Sequence, residues 1–476
     1  MSGRTDHDGL LLGIDVGTTS MKALALDRTG RIVGSASEPT VWDVTSGGLT
    51  QMPADRMADT AIAVLAAAAS DGGGGPVLGI GITGLAETGV VLDVNGQPQM
   101  PAIAWYDQRG KEELAALPAD FQELFQATTG LACKAECSFA KLLWLYGTGF
   151  RIESGQTWLN ALEYIAYRLT GQMISEPSLA SRTGLLDQQS VTPWGETLDG
   201  IGADLTLIPR LVNAGTNIGA VGEQGPVELR GAAVTVGGHD HLVASVGAGA
   251  VGGDDLFNSC GTADVIVRSL PRTLSNDERA QLVGQGLSAG RYVLADSTAI
   301  LGATRSGLVL GRVLAMLGMR DRSARQRLAD AWVPTPLSTT GVNNVEVSEP
   351  SGWTNEVTIR LREYVTPDEL WNAAMQYVLG ETEVLLGAVT QIAGPYEQAI
   401  ASGGWAQLRG VLRGKASVMP GLHLSAHEQA GCRGAAIFAA NAAGLADSPL
   451  GSALHTSPSP HIEPITSTPN KGATAK

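Results

Sequence analysis

The sequence predicts an α/β protein of two related domains, and three observations lead there. At 476 residues the chain exceeds what one compact core usually organises. A strand, a small polar turn and a second strand occur twice, around Asp15 and again around Cys260. Between them lies a glycine-rich hinge containing Gly247, Gly249, Gly252 and Gly253. The expected division is an N-terminal domain at 1–248, a C-terminal domain at 249–450, and a flexible tail rich in Ser, Pro and Thr at 451–476.

The elements follow in order. The apolar run Leu10 to Val16 reads as a strand that ends at Asp15 and leads into Gly17-Thr18-Thr19. Ser20 to Leu26 and Arg31 to Glu38 read as two more strands, joined by a turn at Arg28-Thr29-Gly30. Met57 to Ala69 has a helical pattern, broken by the glycines before the strand Val77 to Ile82. A loop at Thr83 to Glu87 joins that strand to Thr88 to Val94, and Asn95-Gly96 signals a hairpin turn. Helices are expected at Lys111 to Leu117, Ala140 to Tyr146 and Leu159 to Leu169, whereas Gly171 to Trp194 carries no readable period. Ala232 to Val236 is a short strand ending in Gly237-Gly238-His239-Asp240-His241, with a helix expected over Leu242 to Ala250. Further on, the pattern gives a strand at Asp264 to Val267, a long helix at Pro367 to Ile392 and another at Gly431 to Ala443.

Composition narrows the function. A formal charge of −15 disfavours broad contact with nucleic acid or an anionic membrane, so neither is an expected partner. The polar start MSGRTDHDG lacks the apolar stretch of a secretory signal, and the most apolar runs are too short to span a bilayer. Four cysteines in so long a chain read as reduced thiols of a cytoplasmic enzyme, not as a disulfide framework.

Asp15 with Gly17, Thr18 and Thr19 suits an anion. The glycine lets the backbone fold closely, two hydroxyls can donate, and the carboxylate can organise hydrated magnesium. An ordinary polar hairpin turn is the alternative, and the spacing of a Walker loop is absent. Gly261 and Thr262 form a second candidate phosphate loop. Asp240, at the end of an apolar strand, is the candidate base: a carboxylate there can accept the proton of a hydroxyl attacking a phosphorus atom. His241 can line the same pocket. Glu87, Trp105 and Asp107 supply carboxylates for vicinal hydroxyls and an aromatic face for the apolar side of a sugar. Trp105 reads equally well as a core aromatic, and Arg109 as a structural ion-pair partner.

Taken together these segments resemble the FGGY family of carbohydrate kinases. The resemblance is carried, in order, by GIDVGTTSMKALALD from Gly13, GITGLAETGVVLD from Gly81, AIAWYDQRG from Ala102, GGHDHLVA from Gly237, NSCGTADVI from Asn258, ASGG from Ala401 and EQAGCRGAAIFAA from Glu428. It implies two ribonuclease-H-like domains of actin or hexokinase type around a central cleft for ATP and substrate. It further implies Asp240 as catalytic base, Asp15 holding magnesium, and phosphates at Gly17 to Thr19 and at Gly261 to Thr262. Gly403, Gly404 and Gln429 would lie along the adenosine. The implied reaction is ATP-dependent phosphorylation of a small sugar, sugar acid or polyol, with a homodimer as the expected assembly. The sequence departs from glycerol kinases at Ala86, where they carry arginine, and at His241, where they carry glutamine.

Overall fold

The computed structural model describes residues 9–319, 321–332, 344–348, 356–362, 364–427 and 429–448. The tail expected at 451–476 lies outside the described residues. The chain divides into two compact units. The first comprises the described residues of Met1–Gly253, Val267–Leu301 and Gln429–Ser457, and the second those of Asp254–Ile266 and Gly302–Glu428. The first long segment ends close to the expected hinge, but two later segments return to the first unit, so one cut does not separate the two.

The first unit is built on a five-stranded sheet. Strands β1 (Leu10–Val16), β2 (Ser20–Leu26) and β3 (Ile32–Pro39) form an antiparallel meander. On the other side of β1, strands β4 (Val77–Gly84) and β5 (Ala233–His239) add in parallel, giving the order β5-β4-β1-β2-β3. Register places Asp15 beside Thr83, and His239 beside Gly84. The C-terminal ends of β1, β4 and β5 are therefore neighbours, the usual location of a ligand site where parallel strands end. Thr83 Oγ1 donates to the Gly238 carbonyl at 2.7 Å and ties β4 to β5 at that end.

Helix α1 (Ala54–Asp71) buries Met57, Ala61, Val64, Leu65 and Ala68 at helical spacing, as the pattern predicts. Helix α2 (Ala161–Thr170) starts later than its periodicity suggests, because Thr157–Asn160 is a strand. The Glu163 side chain turns back to accept from the Asn160 amide at 2.8 Å and marks that start. The unreadable stretch contains a short helix α3 (Pro177–Ala180), capped by Glu176, whose side chain accepts from the amides of Ser178 and Leu179. Helix α4 (Asp240–Ala248) begins two residues earlier than expected, so Asp240 is its first residue rather than part of a preceding turn.

The second unit has parallel strands β6 (Asp255–Cys260), β7 (Gln398–Ser402) and β8 (Leu422–Leu424). Helices α5 (Ser306–Met316), α6 (Pro367–Ala393) and α7 (Arg409–Val418) supply its core, with Val309, Leu310, Trp371, Met375, Val378 and Val411 packed together. Thr366 and Glu369 form a capping box at the start of α6, and Pro367 occupies its first turn.

Helix α8 (Ala430–Ala442) explains why the end of the chain belongs to the first unit. It is buried almost all round, as its run of alanines allows. It lies directly on the sheet because glycines face it: a methyl group on Gly13 would stand 1.9 Å from the Cys432 carbonyl oxygen, and one on Gly81 equally close to that of Ala435. Gly434 of α8 in turn leaves room for the Val243 carbonyl of α4. No helix among the described residues is long and apolar enough to cross a membrane.

Candidate active site

Three strand ends of the first unit deliver the acidic groups. Asp15 is the penultimate residue of β1 and is half-buried, and its carboxylate accepts no hydrogen bond from a described residue. A methyl group on Gly431 would stand 2.6 Å from its Oδ2, so the start of α8 passes close over it. Burial first, and then the Asp240 charge, push the Asp15 carboxyl up to about 7, against a lowering by Lys22 on the adjacent strand. A half-buried carboxylate short of positive charge suits a divalent cation. No three His, Cys, Asp or Glu side chains among the described residues are grouped to hold a metal by themselves. Magnesium here would rely on Asp15, water and phosphate oxygens, which is its common habit.

The loop after Asp15 is held from three sides. Thr40 Oγ1 donates to the Gly17 carbonyl at 2.7 Å, Trp42 Nε1 to the Thr18 carbonyl at 2.8 Å, and Trp105 Nε1 to Thr18 Oγ1 at 3.0 Å. The amides of Thr18 and Thr19 donate to no described residue. Two uncommitted backbone donors beside a glycine fit a phosphate group. Trp105, expected to face substrate, thus has its ring nitrogen spent on the loop, while Trp42 was not singled out from sequence at all.

Asp240 stands at the N-terminus of α4, where the helix dipole favours a carboxylate. Its Oδ1 accepts the His241 amide at 2.6 Å and lies 3.2 Å from His239 Nε2 and 3.8 Å from His241 Nε2. Its Oδ2 accepts nothing from the described residues, leaving an oxygen for an incoming proton. Burial drives His239 down to about 3, so this imidazole is neutral and adds no positive charge beside the carboxylate. The His239 amide donates to Ser178 Oγ at 3.1 Å, and Ser178 Oγ donates to Glu176 Oε2 at 2.5 Å. This relay anchors the backbone just before Asp240.

Glu87 has φ of +62°, a left-handed conformation that is costly for a non-glycine residue and often found at functional sites. Its carbonyl accepts Ser138 Oγ at 2.7 Å, and its Oε1 accepts Arg182 Nε at 2.6 Å. Burial raises the Glu87 carboxyl despite Arg182, and the charges of Asp240 and Glu136 add to that rise. Asp107 is placed differently. Both its oxygens are taken by Arg109 and by the Thr50 amide, in an ion pair almost closed to solvent. The Lys141 ammonium holds the same loop through the Asp107 and Ala135 carbonyls. Asp107 therefore shapes the loop and has no acceptor left for a sugar, the role that Arg109 was alternatively expected to share.

In the second unit, Gly261 and Thr262 follow β6, and the Leu308 amide of α5 donates to the Thr262 carbonyl at 3.0 Å. Gly403, with φ of +107°, lies against the Cys260 carbonyl, where a methyl group would stand 2.5 Å from the oxygen. Gly404 precedes the turn at Trp405–Gln407. Behind this loop, Lys415 and Asp264 form a buried ion pair. Gln429 is not in this unit but stands immediately before α8 in the first.

With this geometry in view, comparison with known proteins is decisive. Residues 10–247, half of the chain, match the model of the FGGY family of carbohydrate kinases, N-terminal domain. The chain belongs to that family. It is 26% identical to a glycerol kinase of Thermococcus onnurineus over 307 residues, 62% of either chain. It is 28% identical to an L-fuculokinase of Escherichia coli over 269 residues, 54% of this chain and 56% of the relative. These matches span about three-fifths of the relatives' length. In fold, this FGGY-family chain is similar to a xylulose kinase from Rhodospirillum rubrum, with a TM-score of 0.81 and 23% identity over 96% of this chain and 94% of the other. A gluconate kinase from Lactobacillus acidophilus gives a TM-score of 0.84 at 18% identity, with the same coverage. The two-domain α/β architecture is that of FGGY-family kinases.

Arg182, like Trp42, is a residue of this region that sequence reasoning missed. It lies in the stretch without a readable period, and nothing local ties it to Glu87, ninety-five positions earlier. The Glu176-Pro177 helix-start signal was the one available cue.

Proposed function

We propose that this chain transfers the γ-phosphoryl group of ATP to a hydroxyl of a small sugar or polyol, with Asp240 as general base. The observation that carries the reading is the Asp240 carboxylate, fixed through Oδ1 and open at Oδ2, in the same sheet end as Asp15 and Glu87. Asp240 accepts the hydroxyl proton at Oδ2 as the oxygen attacks, which suits a carboxylate held at a helix N-terminus. The Thr18 and Thr19 amides bind phosphate oxygens, and so does the Gly261–Thr262 loop of the second unit. Gly403, Gly404 and Gln429 would contact the nucleoside. Asp15 would hold magnesium, which when bound neutralises charge on the phosphates. Glu87 accepts substrate hydroxyls, His241 lines the pocket, and the neutral His239 crowds Asp240 without protonating it.

The proposal includes two actin- or hexokinase-type domains, a cytoplasmic setting and a xylulokinase-like substrate, since the Trp105 to Arg109 loop resembles that of xylulose, gluconate and polyol kinases. Gluconate and four- to six-carbon polyols are the alternatives within the family. A catalytically silent sugar-binding regulator and an actin-like ATPase, whose ADP release would not depend on a sugar, are the rivals from another class. ADP production measured with ketopentoses, deoxyketohexoses, aldonates and polyols, for the wild type and Asp240→Asn, tests the reading. Stimulation by one compound that the substitution abolishes supports it. ATP binding without stimulation by any compound supports the regulator.

A further inference from the structure

The pair that Glu87 makes is unusual in its origin. The residue before it, Ala86, is apolar and buried, so the loop brings no counter-charge of its own. The cation comes instead from Arg182, just beyond the short helix α3. Its Nε donates to Glu87 Oε1 at 2.6 Å, and its Nη1 donates to Ser288 Oγ at 2.9 Å. The guanidinium plane is thus fixed at two points. Its Nη2 donates to no described residue, and Glu87 Oε2 accepts from none. Arg182 keeps about a fifth of its side-chain surface exposed and Glu87 about a tenth (20% and 9%), so the pair is not sealed in the core.

The charges around this pair matter as much as its geometry. Asp240 and Glu136 both act on Glu87, and Arg182 acts on both Glu87 and His239. Glu87 therefore lies in the field of two further carboxylates, with Arg182 as the cation paired to it. The Arg182 charge is already paired with Glu87, and a further carboxylate brought by a ligand beside Glu87 would meet repulsion from Glu87 and from the two carboxylates that act on it. A neutral ligand meets the opposite situation. The remaining N–H of Arg182 can donate to one hydroxyl oxygen while Glu87 Oε2 accepts the proton of the next, and the fixed fork sets their separation.

We infer that Arg182 is the specificity-determining residue of this site, forming with Glu87 a two-point clamp for adjacent hydroxyls of an uncharged polyol or ketose and excluding aldonates. This rests on the kinase reading for what happens to the ligand, but not for which ligand binds. Arg182 contacts the substrate hydroxyl through Nη2 and, through Nε, opposes the rise that burial imposes on the Glu87 carboxyl. Ser288 is a positioning residue that acts through Arg182.

Binding separates the two readings. Isothermal titration of the full chain with four- to six-carbon polyols, ketopentoses and the corresponding aldonates should show heat with a neutral compound and binding at least about tenfold weaker for the matching aldonate. Arg182→Gln should weaken the best neutral ligand by about 10- to 100-fold, the range for a lost hydrogen bond to a charged group. Arg182→Lys should recover only part of this, because an ammonium keeps the charge and loses the fork. In turnover, the loss should appear in KM more than in kcat. Should Arg182→Gln fail to fold, Ser288→Ala, which frees only Nη1, should still weaken binding several-fold. An aldonate that binds as tightly as its neutral counterpart, an Arg182→Gln protein of wild-type affinity, or no binding by any neutral compound overturns the assignment. Selective binding of neutral compounds without phosphorylation of any would remove the kinase reading and leave the Arg182 clamp standing.

Discussion

Glu176 links the stability of the fold to the geometry of the site, and replacing it by glutamine should make that link measurable. Its side chain is 1% exposed and accepts three hydrogen bonds at Oε2, from the amides of Ser178 and Leu179 and from Ser178 Oγ. Burial, reinforced by neighbouring Glu163, nevertheless pushes its carboxyl from 4.5 up to about 8. The folded protein therefore holds a proton that the unfolded chain releases above pH 4.5. Stability contributed by this group falls as pH rises through that window and levels off once the folded carboxyl also ionises near 8. At about 1.4 kcal/mol per pH unit, the full displacement corresponds to roughly 5 kcal/mol. Glutamine cannot ionise, so Glu176→Gln removes this pH dependence at the constant cost of one altered hydrogen-bond partner. Urea unfolding of both proteins at about pH 5 and about pH 9 should show the variant gaining on the wild type by roughly 3–5 kcal/mol as pH rises. A stability difference that is the same at both pH values would refute the argument that Glu176 is protonated in the folded state.

Other consequences follow from the packing and from the ion pairs. Gly81→Ala should cost upwards of about 2 kcal/mol, because its methyl group would meet the Ala435 backbone and no rotamer relieves that contact. Gly284→Ala, at the end of the helix Asn276–Gly284 with nothing within 4 Å of the added carbon, should instead gain about 0.5–1 kcal/mol; thermal unfolding of the two variants tests the contrast. Lys415→Met leaves Asp264 buried without its cation and should cost about 3–5 kcal/mol in chemical denaturation. Asp107→Asn should likewise lower stability by about 3 kcal/mol, through loss of the buried Arg109 pair. If Asp107 contacts substrate instead, KM will rise while stability stays unchanged.

Much of the fold was legible because its signals are local. The run Leu10 to Val16, the spacing of Met57, Ala61 and Leu65, and the long pattern from Pro367 match strands and helices closely. Boundaries failed where a side chain decides them. Asn160 ends a strand and starts a helix, and Asp240 opens a helix that its apolar pattern places two residues later. Domain membership was less visible, since the glycines that seat α8 on the sheet, Gly13, Gly79 and Gly81, lie more than 300 residues before the helix they admit. Within the site, Asp15, Glu87 and Asp240 stood out because each ends or follows an apolar strand. Arg182 and Trp42 did not, because their meaning comes only from partners distant in sequence. Asp107 was a strong candidate by residue type, yet the arginine two positions later uses up its oxygens.

The account stands on Asp240 taking a proton from an attacking hydroxyl, and following the γ-phosphoryl group tests this most directly. ATP labelled at the γ position should be incubated with the protein, magnesium and the best-binding polyol or ketose, and the label traced. Label recovered as a phosphate ester of the added compound, and reduced at least about 1,000-fold in Asp240→Asn while the compound still binds, is the predicted result. Label recovered only as inorganic phosphate, or ester formed equally well by Asp240→Asn, would contradict it.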